Sequence, residues 1–385
     1  MIYFDQASSS FPKAPPVPEA VRQFLAEGAT NIARGTVNAA FDGNQLVYRL
    51  RCDLANYFDA QNYQVIYTVN VTEALNYLIK GWFTSGDHLL ISGLEHNAVM
   101  RPLTEMEQKG VSYSVIPCDS KGRLLIDEVE TLIQANTKAI LITSASNVCG
   151  TIMPLKKLGE IARKHNLKFM VDGAQLAGYQ KISIKECHID ALGITGHKSL
   201  LGPQGIGALI VEEKLGASLQ PLLSGGTGSN SDSLAMPEML PDRLEAGTLN
   251  LPGIAGLAAS LAWLKEHETA VAEHEIGLVK YFLEGLEQRH IPYLGLSSTE
   301  SKVANRTPVV SLCFKDVDVA MLASFLQTEY DISTRVGLHC APMAHRTLGT
   351  FPEGTVRFSF GYSQTQAEID ICLRAIDEFL SLVKA

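Results

Sequence analysis

Residues 190–211, DALGITGHKSLLGPQGIGALIV, contain two short apolar runs that flank a lone lysine and a glycine-rich turn. The runs DALGIT and GIGALIV are rich in apolar residues and bounded by polar or glycine-rich segments, which predicts buried strands. Lys198 stands between them, and a lysine is rarely buried without a role because its charge is costly to remove from water. This stretch therefore predicts two neighbouring strands with a chemically important residue at the connection.

Similar runs recur through the first two-thirds of the chain. The further predicted strands are QVIYTV (64–69), HLLIS (88–92), YSVIP (113–117), KAILITS (138–144) and KFMVD (168–172). Amphipathic segments between the runs predict helices at about 43–58, 72–84, 98–109, 126–134 and 154–166. This alternation predicts an α/β fold with a mostly parallel sheet wrapped by helices.

The sequence pattern changes in the remainder of the chain. Residues 224–250 form a long polar, glycine- and proline-rich stretch without periodicity, which is typical of a functional loop. A helical pattern at about 251–289, the runs VVSLCF, DISTRV and VRFSF, and a final helix from about 365 follow. We therefore predict a large domain at 16–250 and a smaller α+β domain at 251–385, against which residues 1–15 pack.

Composition excludes several classes of protein. The 385 residues are 46% hydrophobic and 19% charged, with a net charge of −9, which argues against nucleic-acid or anionic-membrane partners. We find no signal peptide, no membrane span and no spacing typical of a metal site. The seven cysteines show no paired spacing and suit free thiols in a reducing compartment, so we expect a cytoplasmic enzyme.

Asp172 and Lys198 together indicate a cofactor. Asp172 ends the strand KFMVD, where ligands of open α/β sheets bind, although an aspartate there is as often a helix cap. Lys198 alone could be a surface lysine. A lysine forms a Schiff base with an aldehyde cofactor, and a pyridinium nitrogen takes a carboxylate partner. An acid and a lysine at adjacent strand ends are what pyridoxal 5′-phosphate requires.

Several motifs carry a family resemblance across essentially the whole chain. TGHKSLLGPQGIGAL, VDGAQLAG, SNVCGTIMPL, EHNAVMRPL and RLEAGTLNLPGIAGL resemble the class V aminotransferases, which have the pyridoxal-phosphate transferase fold of type I. STRVGLHCAP and GTVRFSFGY are similar to the cysteine desulfurase branch, and within it to group II and to selenocysteine lyases.

The resemblance implies roles around the cofactor ring. Lys198 would bind the cofactor and then act as base and acid at the substrate Cα. Asp172 would pair with the pyridinium nitrogen, and Gln175 would donate to the phenolic oxygen. His96 would stack on the ring and assist proton transfer, in preference to the competing interpretation of a helix-capping or core histidine.

The resemblance also implies a phosphate site. Val71 and Thr72 open a helix after a strand, and helix N-termini bind anions. Thr195 and His197 would add contacts, and Thr248 would come from the second subunit of a homodimer. Asn70 and Val71 stand where the family usually has small hydroxyl residues or glycines.

Arg357, in the strand VRFSF, is the candidate for the substrate α-carboxylate, since a guanidinium binds a carboxylate through two hydrogen bonds. Its competing interpretation is an arginine on a solvated strand face. Asn147 would hold the same carboxylate or the cofactor oxygen, and Arg34 is a further candidate for the substrate site.

Cys340 is the candidate nucleophile, in a loop with His339, Arg335 and His345 near it in sequence as sources of positive charge. Leu338 and Pro342 depart from the family pattern in this loop. Cys149 matches no family nucleophile, and the remaining cysteines are interpreted as small core residues.

The implied activity is conversion of L-cysteine to L-alanine with a persulfide on Cys340, and L-selenocysteine is a second possible substrate. The sulfur would pass to a thiol or an acceptor protein for iron–sulfur cluster or thiocofactor assembly. Alternatives are a selenocysteine lyase, a cyst(e)ine C–S lyase or an aminotransferase in which Cys340 is incidental. A non-catalytic binding protein is the alternative from another class.

Overall fold

The computed structural model describes residues 1–28, 43–230, 232–314 and 317–384. The strands are β1 (Ile2–Tyr3), β2 (Tyr63–Thr68), β3 (His88–Ser92), β4 (Ser112–Ile116), β5 (Thr137–Thr143), β6 (Lys168–Asp172), β7 (Ala191–Thr195), β8 (Gly207–Glu212), β9 (Val309–Leu312), β10 (Ile332–Ser333), β11 (Arg335–Gly337) and β12 (Thr355–Ser359). The helices are α1 (Val17–Glu27), α2 (Gly43–Tyr57), α3 (Val71–Trp82), α4 (Asn97–Glu107), α5 (Leu155–Lys164), α6 (Glu213–Ser218), α7 (Leu251–Gln288), α8 (Val319–Tyr330), α9 (Pro342–Thr347) and α10 (Gln366–Lys384).

A seven-stranded sheet in the order β2-β8-β7-β6-β5-β3-β4 forms the centre of the molecule. The strands from β7 to β4 in this order pair in parallel, and β8 is antiparallel to both of its neighbours. The predicted mostly parallel α/β architecture is therefore confirmed. Since parallel strands end at the same edge, the loops after β5, β6 and β7 meet on one side of the sheet.

Helices cover both faces of this sheet, which is why its strands are apolar without alternation. One face packs against α3, α4 and α6, and the other packs against α2, α5 and the first half of α7. A third core lies between the antiparallel sheet β11-β12-β9, the second half of α7, α8 and α10. The long helix α7 thus contributes to two cores.

The first strand belongs to the C-terminal part of the structure. β1 pairs in parallel with β10, and Phe4 is buried in the third core against Phe358 and Phe360. The residues that follow β1 then run back toward the central sheet, where the backbone amides of Ser10 and Ala14 donate to the carbonyl oxygens of His197 and Leu201.

Two predicted elements differ from the structure. Residues 126–134 form two short 3₁₀ turns instead of an α-helix, because neither turn contains a buried residue and a short helix depends on the packing of an apolar face. The run at 331–336 is divided between two sheets: β10 pairs with β1, whereas β11 pairs with β12. In the described ranges, no helix has both the length and the apolar character needed to cross a membrane.

Candidate active site

A cavity of about 220 Å³ lies at the edge of the sheet where β5, β6 and β7 end. Its walls bring together residues from five separate segments of the chain. The lining residues are Asn70, Val71, Thr72, His96, Thr143, Asn147, Asp172, Ala174, Gln175, Thr195, His197 and Lys198. Every residue that we assigned to the cofactor from the sequence, apart from Thr248, is in this set.

Lys198 and Asp172 interact electrostatically across this cavity. Burial lowers the pKa of Lys198 to about 8, and the negative charge of Asp172 opposes that effect. Asp172 is 2% exposed and accepts a hydrogen bond of 2.9 Å from the amide of Ala174. Burial raises the pKa of Asp172, while this bond and the charge of Lys198 lower it. A buried carboxylate in this position is suited to a cationic partner.

The N-terminus of α3 provides an anion site on one wall. The Asn70 side chain caps the helix by accepting from the amide of Glu73, which leaves the amides of Val71 and Thr72 without intrahelical acceptors. Gly207 allows the turn to approach β8, because a Cβ there would lie 3.0 Å from the Cα of Asn70. Asn70 thus caps the helix where the family pattern led us to expect a smaller residue.

Two buried polar atoms on this cavity have no partner among the described residues. They are Thr195 Oγ1 and His197 Nδ1, and Thr195 is only 2% exposed. Such atoms are costly to bury without a hydrogen bond. Together with the free amides of α3 and the Asp172–Lys198 pair, they fit a ligand with an anionic group at one end and a cationic ring nitrogen at the other. The residues present therefore fit pyridoxal phosphate.

His96 both lines the cavity and caps a helix. Its Nδ1 accepts a hydrogen bond of 3.0 Å from the amide of Ala98 at the start of α4. Burial, reinforced by the charges of Lys198, Arg357 and Arg101, lowers the pKa of His96 to about 4. The ring is therefore neutral near pH 7 with its proton on Nε2. His96 therefore does cap α4, although the sequence favours the stacking role. This hydrogen bond fixes the neutral tautomer, with the proton on Nε2.

Gln175 connects the cavity to the N-terminal segment. Its Nε2 donates a hydrogen bond of 3.1 Å to the carbonyl oxygen of Ala7. Lys13 Nζ donates to the carbonyl oxygen of His197 at 3.1 Å, which anchors the same segment beside Lys198. Sequence reasoning placed residues 1–15 only against the small domain and gave them no part in the site.

Glu95 is a second residue that the sequence analysis did not identify. It is fully buried and accepts hydrogen bonds from the hydroxyl of Ser92 and the amide of Thr143, which joins the ends of β3 and β5. Burial raises the pKa of Glu95 to about 8, and the charge of Asp172 acts in the same direction. Its position directly before His96 in the motif EHN was the available signal.

Arg357 is 3% exposed, which excludes the interpretation of a solvated strand arginine. Its Nη1 donates to the carbonyl oxygen of Asn147 at 3.1 Å, and its Nη2 donates to Asp5 Oδ1 at 2.8 Å and to Ser8 Oγ at 2.7 Å. Burial lowers the pKa of Arg357, and the Asp5 carboxylate opposes this effect. Asn147 lines the cavity, so the guanidinium is attached to the wall of the site.

Cys340 lies in an exposed loop that two hydrogen bonds attach to the site. The Asn147 side chain donates to the carbonyl oxygen of His339, and the Asn97 amide donates to that of Cys340, each at 2.8 Å. The Cys340 thiol is close enough to Lys198 to influence its pKa. Cys149, in contrast, is completely buried.

The prediction that His339 and His345 provide positive charge near Cys340 is wrong. Burial lowers the pKa of His339 to about 2 and that of His345 to about 4, so both rings are neutral near pH 7. His339 Nε2 pairs with Thr355 Oγ1, and His345 Nδ1 pairs with Thr350 Oγ1, each at 2.7 Å. These residues pack the loop instead of charging it.

Among the predicted residues that the structure describes, Arg357 and Cys340 do not line the cavity, although Asn147 hydrogen-bonds to Arg357 and to the loop of Cys340. Thr248 is not brought to the cavity within one chain. Thr248 is exposed and lines a different cavity, together with Arg51 and Glu245. Arg34 lies outside the described residues. That Thr248 acts on another subunit stays a prediction.

Comparisons with known proteins give the chain its family. The model of class-V aminotransferases matches residues 2–372. A probable cysteine desulfurase of Methanothermobacter thermautotrophicus is 27% identical over 99% of this chain and 95% of its own length. A cysteine desulfurase of Salmonella agona is 30% identical over 96% of this chain and 91% of its own length. The apo structure of a cysteine desulfurase from Thermococcus onnurineus, 29% identical, matches with a TM-score of 0.90 and covers 99% of this chain and 94% of its own. Because the family match spans nearly the whole chain, this protein is an enzyme of the class-V aminotransferase family, in which it is similar to cysteine desulfurases.

Proposed function

We propose that this protein is a pyridoxal-phosphate-dependent cysteine desulfurase of group II, which converts L-cysteine to L-alanine and carries the sulfur as a persulfide on Cys340. One observation carries the proposal: the cavity with the Lys198–Asp172 pair also holds Asn147, whose side chain bonds to the loop of Cys340. The lysine and the thiol that a desulfurase needs thus serve one site. The similarity to cysteine desulfurases supports the same activity.

Lys198 holds the cofactor and moves the proton at the substrate Cα. Its lowered pKa increases the fraction of neutral amine, which can accept that proton. Bound pyridoxal phosphate supplies an electron sink for the bonds around Cα. Asp172 would pair with the ring nitrogen, Gln175 would donate to the phenolic oxygen, and His96 would lie against the ring with its Nε2–H available as a donor.

The phosphate is held by the amides of Val71 and Thr72 and by the unpartnered atoms of Thr195 and His197. Thr248 of a second copy adds a further contact, so the active unit is a homodimer. Asn147 and Arg357 hold the substrate α-carboxylate, and Arg34 assists them.

The sulfur step forms one bond and breaks another. The Cys340 thiolate attacks the sulfur of the bound cysteine, the bond between that sulfur and the substrate Cβ breaks, and its electron pair goes to the carbon fragment. Protonation of the carbon fragment gives L-alanine, and Cys340 keeps the persulfide. A thiol or an acceptor protein then removes the sulfur for iron–sulfur cluster or thiocofactor assembly. We place this enzyme in the cytoplasm, with a large domain at 16–250 and a small domain at 251–385.

Product analysis tests the proposal. The purified protein is loaded with pyridoxal phosphate and incubated with L-cysteine and dithiothreitol, and alanine, sulfide and pyruvate are quantified. A desulfurase gives equal amounts of alanine and sulfide. Pyruvate with ammonia would establish a C–S lyase, and dependence on an added keto acid would establish an aminotransferase. The same measurement with L-selenocysteine decides between a desulfurase and a selenocysteine lyase.

A further inference from the structure

The side chains of Asp5, Ser8 and Arg357 are all hydrogen-bonded to one another. Arg357 Nη2 donates to Asp5 Oδ1 at 2.8 Å and to Ser8 Oγ at 2.7 Å, and Ser8 Oγ donates to Asp5 Oδ1 at 2.7 Å. The side chain of Arg357 is 3% exposed and that of Asp5 is 14% exposed. The buried cation therefore already has an anionic partner before any substrate binds.

A count of donors shows what this arrangement leaves for a ligand. A guanidinium has five N–H groups, and Arg357 already donates from Nη2 to Asp5 and Ser8 and from Nη1 to Asn147. The buried Nε–H has no partner among the described residues. Each edge of a guanidinium that offers two parallel donors includes one Nη2 hydrogen. A carboxylate that binds through two hydrogen bonds therefore shares Nη2 with Asp5 and Ser8.

We propose that Asp5 and Ser8 are positioning residues that set the affinity of Arg357 for the carboxylate of the amino acid. Ser8 releases its Nη2 hydrogen to the ligand, while Asp5 stays and keeps the guanidinium oriented. This inference rests on the proposed function, in which Arg357 binds the α-carboxylate.

The direction of the effect follows from charge. A carboxylate on Arg357 comes close to the carboxylate of Asp5, and two like charges in a poorly solvated site repel each other. Asp5 therefore weakens the binding of amino acids and helps alanine to leave after turnover. Replacing Asp5 with asparagine keeps an oxygen that can accept from Nη2 but removes the charge, so the bound carboxylate becomes the main counter-ion of Arg357.

A matched pair of ligands tests the inference. L-alanine and ethylamine differ only in the carboxylate, and neither contains sulfur. The holoenzyme is titrated with each, and binding is followed through the visible absorbance of the cofactor. In Asp5→Asn we expect the Kd for L-alanine to fall roughly tenfold, with the Kd for ethylamine unchanged. In Ser8→Ala, which frees one Nη2 hydrogen without changing the charge, we expect a smaller fall for L-alanine alone.

Other outcomes overturn the inference. An unchanged or raised Kd for L-alanine in both variants would contradict it, and so would equal changes for L-alanine and ethylamine, which would indicate a merely structural effect. If Asp5→Asn does not fold, Ser8→Ala decides on its own. Arg357→Ala distinguishes failure of the proposed function from failure of this inference. If Arg357→Ala binds L-alanine as tightly as the wild type, the proposed carboxylate site itself is refuted. If Arg357→Ala loses L-alanine binding but Asp5→Asn has the wild-type Kd for L-alanine, only the role of Asp5 is refuted.

Discussion

The Asn147 side-chain amide donates a hydrogen bond of 2.8 Å to the carbonyl oxygen of His339, the residue before Cys340. His339 and Cys340 have φ angles of +48° and +55°, a backbone conformation that residues other than glycine adopt infrequently. The bond from Asn147, with that from the Asn97 amide to Cys340, holds the loop in this conformation. The wall of the cofactor cavity thus fixes the backbone of the proposed nucleophile.

Cys340→Ser should bind L-cysteine and lose sulfur transfer, because binding depends on other residues and the serine hydroxyl cannot form a persulfide. The measurements are the change of cofactor absorbance on adding L-cysteine and the yield of alanine. Cys52→Ser is the matched control, since Cys52 is also an exposed free cysteine. Wild-type alanine production in Cys340→Ser would favour the lyase interpretation.

Lys198→Ala should abolish turnover, because the residue that binds the cofactor and moves the Cα proton is lost. Borohydride treatment of the wild-type holoenzyme should attach the cofactor to the peptide that contains Lys198. Lys13→Ala is a suitable control, since burial also lowers the pKa of Lys13 to about 8 and it bonds to His197. A label on a peptide that contains another lysine would refute the assignment.

Cofactor uptake should depend on pH through Lys198. Only the neutral amine attacks an aldehyde, and with a pKa of about 8 roughly a tenth of it is neutral at pH 7. The rate at which cofactor-free protein binds pyridoxal phosphate should therefore rise about tenfold per pH unit below pH 8 and level off above it. Stopped-flow absorbance measures this rate. A rate that keeps rising to pH 10 would mean that Lys198 has an ordinary lysine pKa.

Mixed dimers test whether Thr248 acts on the partner subunit. Thr248→Ala alone should weaken cofactor retention, because a phosphate contact is lost. In a dimer of one Lys198→Ala subunit and one Thr248→Ala subunit, one site then has an intact lysine and an intact threonine. We expect that site to retain cofactor as the wild type does. If no wild-type site is recovered, Thr248 acts within its own subunit or not at all.

Arg357→Ala should raise the KM for L-cysteine roughly tenfold to a hundredfold, since it loses a charged pair with the carboxylate. Arg357→Lys should recover only part of this, because an ammonium lacks the two parallel donors. Arg306→Lys is the control: Arg306 is also buried and donates to Leu296 and Ser301, but unlike Arg357 it has no hydrogen bond to Asn147 on the cavity wall. A KM that is unchanged in Arg357→Ala would contradict the assignment.

The sequence predicted the central sheet well because its strands are buried on both faces. Runs such as KAILITS and KFMVD are apolar throughout and have few competing interpretations. Asp172 and Lys198 could be assigned because they directly follow such runs, where the fold places ligands. The prediction of an α-helix at 126–134 was wrong because the turns there contain no buried residue, and packing of that kind cannot be read from the local pattern.

Contacts between distant segments could not be predicted. Asp5 and Arg357 are 352 positions apart, and no local pattern indicates that they pair. The histidines beside Cys340 were misjudged for a related reason, since their charge depends on burial by segments remote from the loop. Strand periodicity also left open whether Arg357 faces solvent or the interior.

The contacts of the N-terminal segment bear on the order of events during synthesis. Residues 5–14 are translated long before β12, so Asp5 and Ser8 can meet Arg357 only after β12 has been made. A nascent chain without β12 cannot assemble the carboxylate site, even when β6 and β7 are already present. Contacts of such long sequence separation form slowly, because a large loop must close first. The proposed contact with the amino-acid carboxylate is thus acquired only after β12 has been translated, later than the residues proposed to hold the cofactor.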